Sequence, residues 1–280
     1  MTVIRNIVAA LRLAGFFVVT LSGAILYLFC LPLGAVSRHF FTKYWWARGS
    51  CLAFGLDWQL SGEVSTHKPT LFVSNHLSYL DIVAIGSALE VSFAAKAEMK
   101  NWPFFGTISR FADTIFISRN PRHAKQALGQ ISERLKERRN LILFPEGTSW
   151  DGSEIRPFKS SPFGVADDPE LREILHVQPL SIAYVTKKHP EERAPTPFAW
   201  CKGYPLWKHI WETAGRGGAE VRLVAYDPVP VRNFRSRREL TEHCFDVIER
   251  GYFASIARPV RKYDPRQDPT LGPSATSAAD

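Results

Sequence analysis

The sequence has few cysteines and no arrangement that uses them together. Cys30, Cys51, Cys201 and Cys244 are the four in 280 residues, and no two make a CxxC pair or another metal-ligand spacing. A disulfide framework and a metal site are therefore not expected; reduced, mostly buried thiols are. No run of five Lys or Arg occurs, which argues against a basic arm for nucleic acid. There is no GxxxxGKS/T phosphate loop. There is no GxSxG nucleophile elbow either, since Gly147-Thr148-Ser149-Trp150-Asp151-Gly152 has the wrong spacing. No internal repeat is visible. Charge is also missing from one stretch, between Arg12 and Arg38.

What is present begins with that uncharged stretch. Leu13 to Leu33 is 21 residues, about 31 Å as a helix, against a hydrocarbon core of roughly 30 Å. Three readings compete. It is a spanning or re-entrant anchor, a cleaved signal peptide ending near Ala35-Val36-Ser37, or a buried core helix. The length exceeds a signal h-region, which favours the anchor. Pro32 should end or kink it. The segment Arg38 to Arg48 carries five aromatic residues and three of the flanking cations, as a helix at the headgroup layer would. The cations weakly place its side of the membrane in the cytoplasm. The whole chain is basic, 35 Lys+Arg against 27 Asp+Glu, which suits anionic lipid, phosphorylated small molecules or nucleic acid without choosing among them.

Past Gly55 short apolar runs alternate with amphipathic ones. Strands are expected at Trp58–Val64, Thr70–Ser74, Val91–Ala95, Asp113–Ser118, Leu141–Phe144, Val177–Tyr184 and Val221–Tyr226. Helices are expected at Leu80–Leu89, Pro121–Arg138 and Leu240–Tyr252. In the second, Ala124, Leu128, Ile131 and Leu135 share a face, with Asn120 as N-cap and Pro121 at the first position. The pattern is α/β: a mixed sheet flanked by helices, preceded by N-terminal membrane-associated helices. The expected division is residues 1–55 as anchor, 56–260 as catalytic domain and 261–280 as a disordered, Pro-rich tail.

Two segments could carry chemistry. In Ser74-Asn75-His76-Leu77-Ser78-Tyr79-Leu80-Asp81, His76 and Asp81 are five apart. Within one regular helix they would point about 140° apart. With His76 on the loop and Asp81 in the first helical turn they can meet, so that the carboxylate orients the imidazole as a base. In Leu141-Ile142-Leu143-Phe144-Pro145-Glu146-Gly147-Thr148-Ser149 a buried strand runs into a turn presenting a carboxylate, a glycine and two hydroxyls. Each has an ordinary reading alone: a loop histidine beside a capping aspartate, and a strand-end turn. A metal pair is a third reading, but nothing nearby supplies another ligand.

Together, NHLSYLD and FPEGT resemble the two hallmark motifs of the glycerolipid acyltransferases, most like the 1-acylglycerol-3-phosphate branch. Lys96 to Gly106 with Phe116-Ile117-Ser118-Arg119 is similar to a third block, and Val177 to Tyr184 to a fourth; Pro157-Phe158-Lys159-Ser160 is also similar. The departures are Met99, where leucine is frequent, and the missing glycine after Lys159. The resemblance covers Trp58 to Asp227. It implies that His76 is the general base and Asp81 its orienting partner. Arg119 would hold the acceptor's phosphate, with Gly106 and Lys96 shaping that side. Glu146, Gly147 and Thr148 would bind the acceptor's polar head. The implied reaction moves an acyl group from acyl-ACP or acyl-CoA, as co-substrate, to the sn-2 hydroxyl of 1-acyl-sn-glycerol 3-phosphate, giving phosphatidic acid. The acceptor could instead be another lysolipid, such as a lyso-ornithine lipid. No resident cofactor, metal or nucleic-acid partner is implied. Membrane lipid is, at the cytoplasmic membrane with the site reachable from the cytoplasm. Backbone amides near the start of the helix after His76 are the candidate donors to the oxyanion. The rivals are a hydrolase and an inactive membrane-bound scaffold of the same fold.

Overall fold

A computed structural model describes residues 2–29, 45–96, 114–117, 124–187, 196–201 and 203–257. In chain order these form α1 (Thr2–Phe29), α2 (Arg48–Phe54), β1 (Leu56–Ser61), β2 (Thr70–Ser74), α3 (Leu80–Ala88), β3 (Ser92–Lys96), β4 (Ile115–Ile117), α4 (Ala124–Lys136) and β5 (Leu141–Leu143). A 3-10 turn (Ser161–Asp167) leads to α5 (Pro169–Ile174), β6 (His176–Thr186), α6 (Leu206–Ala214), β7 (Ala219–Ala225), β8 (Val229–Pro230) and α7 (Arg237–Ala257). The strands make one mixed sheet in the order β1-β7-β6-β2-β5-β3-β4, with β8 added to β6.

β2 lies parallel between β5 and β6, so both its faces are covered and all five of its residues are buried. That is why it reads as an unbroken apolar run rather than an alternation. Phe72, Ile142, Leu180 and Ile182 face one core with Leu80, Ala84 and Ile85 of α3 and Cys51 and Phe54 of α2. Leu71, Val73, Leu141, Leu143 and Val177 face the other, against Ile131 and Leu135 of α4, Leu171 of α5 and Leu240, Cys244 and Ile248 of α7. The architecture is a mixed sheet between two helical layers.

The expected strands and helices are present among the described residues, with shifted ends. β1 starts at Leu56 and stops at Ser61, because Gly62 has φ +81° and a Cβ there would collide with the Ala225 carbonyl. The last helix extends to Arg237–Ala257. α5 and α6 were not expected. α5 has a local signature, since Asp168 caps it, accepting from the Glu170 and Leu171 amides at 3.0 and 3.4 Å, ahead of Pro169.

Asn120 and Pro121, most of the Arg38–Arg48 segment and the tail from 258 lie outside the described residues. The described end of that segment is less interfacial than expected. Trp46 and Ala47 are buried in the core with Cys51 and Phe54, while Trp45 and Leu52 face out. Gly86 of α3 packs beside Ala47.

α1 is not a core helix. Thr2–Leu26 is long and apolar enough to cross a membrane, and only 11% of its most apolar window is buried. Ala9, Gly15, Phe16, Val19 and Gly23 form the side that packs on the domain.

Candidate active site

The site forms at the C-terminal ends of β2 and β5, where adjacent parallel strands hold their following turns side by side. After Ser74 the chain leaves β2 as a loop, and α3 begins at Leu80. His76 is therefore on the loop and Asp81 in the first turn, which closes the five-residue gap. His76 Nδ1 donates to Asp81 Oδ2 at 2.7 Å. The same oxygen accepts from the Leu77 and Ser78 amides at 2.8 and 3.0 Å. The carboxylate is fully buried, whereas the imidazole keeps 20% of its surface exposed. With Nδ1 committed as a donor, Nε2 is left as the basic nitrogen. Phe144, one residue past β5, stacks on the imidazole at 4.4 Å between centroids.

Two residues that the motifs do not assign hold this pair in place. Tyr184, buried in β6, donates its hydroxyl to the other Asp81 oxygen, Oδ1, at 2.8 Å. Burial raises its phenol pKa well above the ordinary value, and the Asp81 charge adds to this, so it remains a donor. Asn75 uses its whole side-chain amide on Ile182 of β6, donating to the carbonyl and accepting from the amide, both at 2.9 Å. It imitates one more residue of strand pairing and fixes where the loop leaves the sheet.

Glu146 makes its hydrogen bonds to backbone. It is 5% exposed, and both oxygens are occupied by backbone. Oε1 accepts from the His76 amide at 2.6 Å and Oε2 from the Arg156 amide at 3.1 Å. It ties the histidine loop to the strand-end turn and to the segment beyond. Burial pushes its carboxyl up to about 7; the two amide bonds oppose the shift and the Asp81 charge adds to it. Gly147 has φ +75°, and a Cβ there would stand 3.0 Å from Lys159 Nζ. The glycine thus admits an exposed ammonium directly over the turn. Arg156, also exposed, lies over the Trp150 ring at 4.6 Å. Thr148 is half-buried in the same turn.

The Leu77 and Ser78 amides, which precede the helix, donate to Asp81. Lys96 ends β3, which pairs with β4. Gly106 and Arg119 lie outside the described residues.

Chemically, the centre is a buried carboxylate with four accepted bonds, an oriented and partly exposed imidazole, and exposed cations beside an open glycine. It contains a base and a place for an anionic group. The acyltransferase family model matches residues 58–183, a span that includes His76, Asp81, Glu146 and Lys159 and stops one residue before Tyr184. The chain is 32% identical over 205 residues to a lyso-ornithine lipid O-acyltransferase of Rhodobacter capsulatus, covering 72% of each chain. It is 32% identical over 123 residues to a 1-acyl-sn-glycerol-3-phosphate acyltransferase of Neisseria gonorrhoeae, covering 43% of this chain and 48% of that one. The crystal structure of a 1-acyl-sn-glycerophosphate acyltransferase from Thermotoga maritima has the same fold, with TM-score 0.71 at 23% identity over 93% of this chain and 100% of its own. Because the family model spans both motif turns and the Rhodobacter relative is 32% identical over 72% of the chain, this chain belongs to the glycerolipid acyltransferase family and is an O-acyltransferase.

Proposed function

We propose that the chain transfers a fatty acyl group from a thioester donor, acyl-ACP or acyl-CoA, to the free hydroxyl of a lyso-ornithine lipid at a membrane. The observation that carries the chemistry is the 2.7 Å bond between His76 Nδ1 and Asp81, which leaves Nε2 to take a proton. As the acceptor oxygen attacks the thioester carbonyl, Nε2 removes its proton. The carbon–sulfur bond then breaks, and the imidazolium returns the proton to the departing thiolate. Thiolate is already a good leaving group, so the step requires no serine or cysteine nucleophile. Asp81 stabilises the imidazolium that forms between the two proton transfers.

The acceptor reading is supported by the Rhodobacter relative, which aligns over 72% of this chain. A second acceptor, 1-acylglycerol 3-phosphate, is favoured by the Neisseria relative. Lys159 and Arg156 would suit the carboxylate of an ornithine head group or a phosphate, and in our reading Arg119 joins them for a phosphate. The test is a panel of both lysolipids against acyl-ACP and acyl-CoA in membranes, with products identified by mass, alongside His76→Ala. Acylated ornithine lipid that disappears in the variant is expected. Near-normal transfer by purified His76→Ala would refute the base, and exclusive use of the phosphate acceptor would refute the substrate.

A further inference from the structure

An exposed aromatic face on α6 takes no part in the chemistry above. Trp207 is 73% exposed and Trp211 41%, and as i and i+4 on one short helix they share a side. Tyr204, just before the helix, is 37% exposed. The opposite side, with His209, Thr213 and Ala214, is buried. Tryptophan carries a large apolar body, and leaving it this open in water forfeits the gain from burying that area.

The surface continues into α1. Trp211 Nε1 donates to Asn6 Oδ1 at 3.1 Å, and the Arg12 guanidinium donates to the Ala214 and Arg216 carbonyls at 3.1 and 2.5 Å. Beside Asn6, α1 exposes Val3, Ile4, Ile7 and Leu11. At the far end of α1, Trp45 is 41% exposed and donates to Ser22 at 3.1 Å. Leu52 of α2, on the same helical layer, is 82% exposed. Exposed Arg5 and Lys208 lie on the α1 and α6 parts of this surface.

We infer that α6 is a second lipid-contacting element, which sets Trp207 and Trp211 into the headgroup layer of an anionic bilayer next to α1. Three features favour lipid over a protein partner. The face is continuous with a helix that is long and apolar enough to cross a membrane and is mostly exposed. Its aromatic residues end in N–H and O–H groups, the composition of a membrane–water boundary. Its flanking cations complement anionic head groups. The inference rests on the acceptor being a membrane lipid, because a domain held at α1 and at α6 keeps one orientation toward the bilayer that supplies it.

The test uses the full chain with Cys30→Ser and Cys201→Ser, which leaves buried Cys51 and Cys244 unlabelled. A spin label is attached at Trp207→Cys, or at Glu133→Cys on the exposed side of α4 as reference, in vesicles of phosphatidylethanolamine and phosphatidylglycerol. Power saturation with oxygen and with a water-soluble nickel chelate reads the surroundings. The label at 207 is expected to favour oxygen several-fold over the label at 133. The same nickel-dominated response at both positions would overturn the inference. So would dipolar broadening at 207 that persists as lipid is added, which would mean that a second copy of the chain covers the face. No turnover is involved, so failure of the enzyme on every acceptor would count against the proposed function and leave this result standing.

Discussion

Tyr184 and Asp81 are 103 positions apart, yet the phenol donates to the carboxylate oxygen that His76 does not use, at 2.8 Å. Removing that donor by Tyr184→Phe leaves more negative charge facing the imidazole. The imidazolium is then more stable, so the acid limb of the pH profile of kcat/KM should move to higher pH. We expect kcat to fall about tenfold, equivalent to roughly 1.4 kcal/mol, with acceptor KM little changed. Steady-state rates across pH check this. An unaltered profile would mean that Tyr184 only fills space.

Glu146 bonds the His76 and Arg156 amides, and its carboxyl is raised from 4.5 to about 7. Between these values the folded state holds a proton that the unfolded state has released. Stability from this group is therefore lost as pH rises from 4.5 through about 7, by roughly 3 kcal/mol in all. Glu146→Gln removes the titration. Thermal melting in detergent from pH 5 to 8 should show the wild type losing ground to the variant as pH rises; parallel curves would contradict the assignment. Kinetically the variant should lose kcat more than acceptor affinity, since its contacts are to backbone.

Asn75→Ala would leave the amide and carbonyl of Ile182 buried without their present partners. At about 1–3 kcal/mol for each such group, a loss of about 2–6 kcal/mol is expected. The same change frees the loop that carries His76. Melting temperature and kcat should therefore fall together, and loss of only one would separate anchoring from catalysis.

Lys159 stands over Gly147, where a Cβ would approach its ammonium to 3.0 Å. If the ammonium meets the anionic group of the acceptor, Lys159→Ala should raise acceptor KM about tenfold, as loss of one charge-assisted bond would, and leave kcat near its original value. Kinetics with each lysolipid check this, and an unchanged acceptor KM would remove Lys159 from the binding site.

Local chemistry made part of this protein legible from residues alone. Apolar runs announced β2 and β5, since strands covered on both faces need no polar alternation. The step from strand to loop to helix let a five-residue spacing join His76 to Asp81. The uncharged N-terminal stretch announced α1. α6 escaped notice because nine residues with exposed tryptophans show no clean apolar stripe until α1 is beside them.

Which residues can do chemistry and which stretches are apolar enough for burial follow from side-chain type and short-range period, so both are written in the chain. The partners of those residues come from the packing of the folded sheet. Strand order sets β2 between β5 and β6, and that placement brings Tyr184 and Asn75's partner Ile182 to the histidine loop. The same adjacency lets Glu146 bond the backbone of two separate segments. Contacts across a hundred residues depend on which strands become neighbours, and no local pattern encodes that choice.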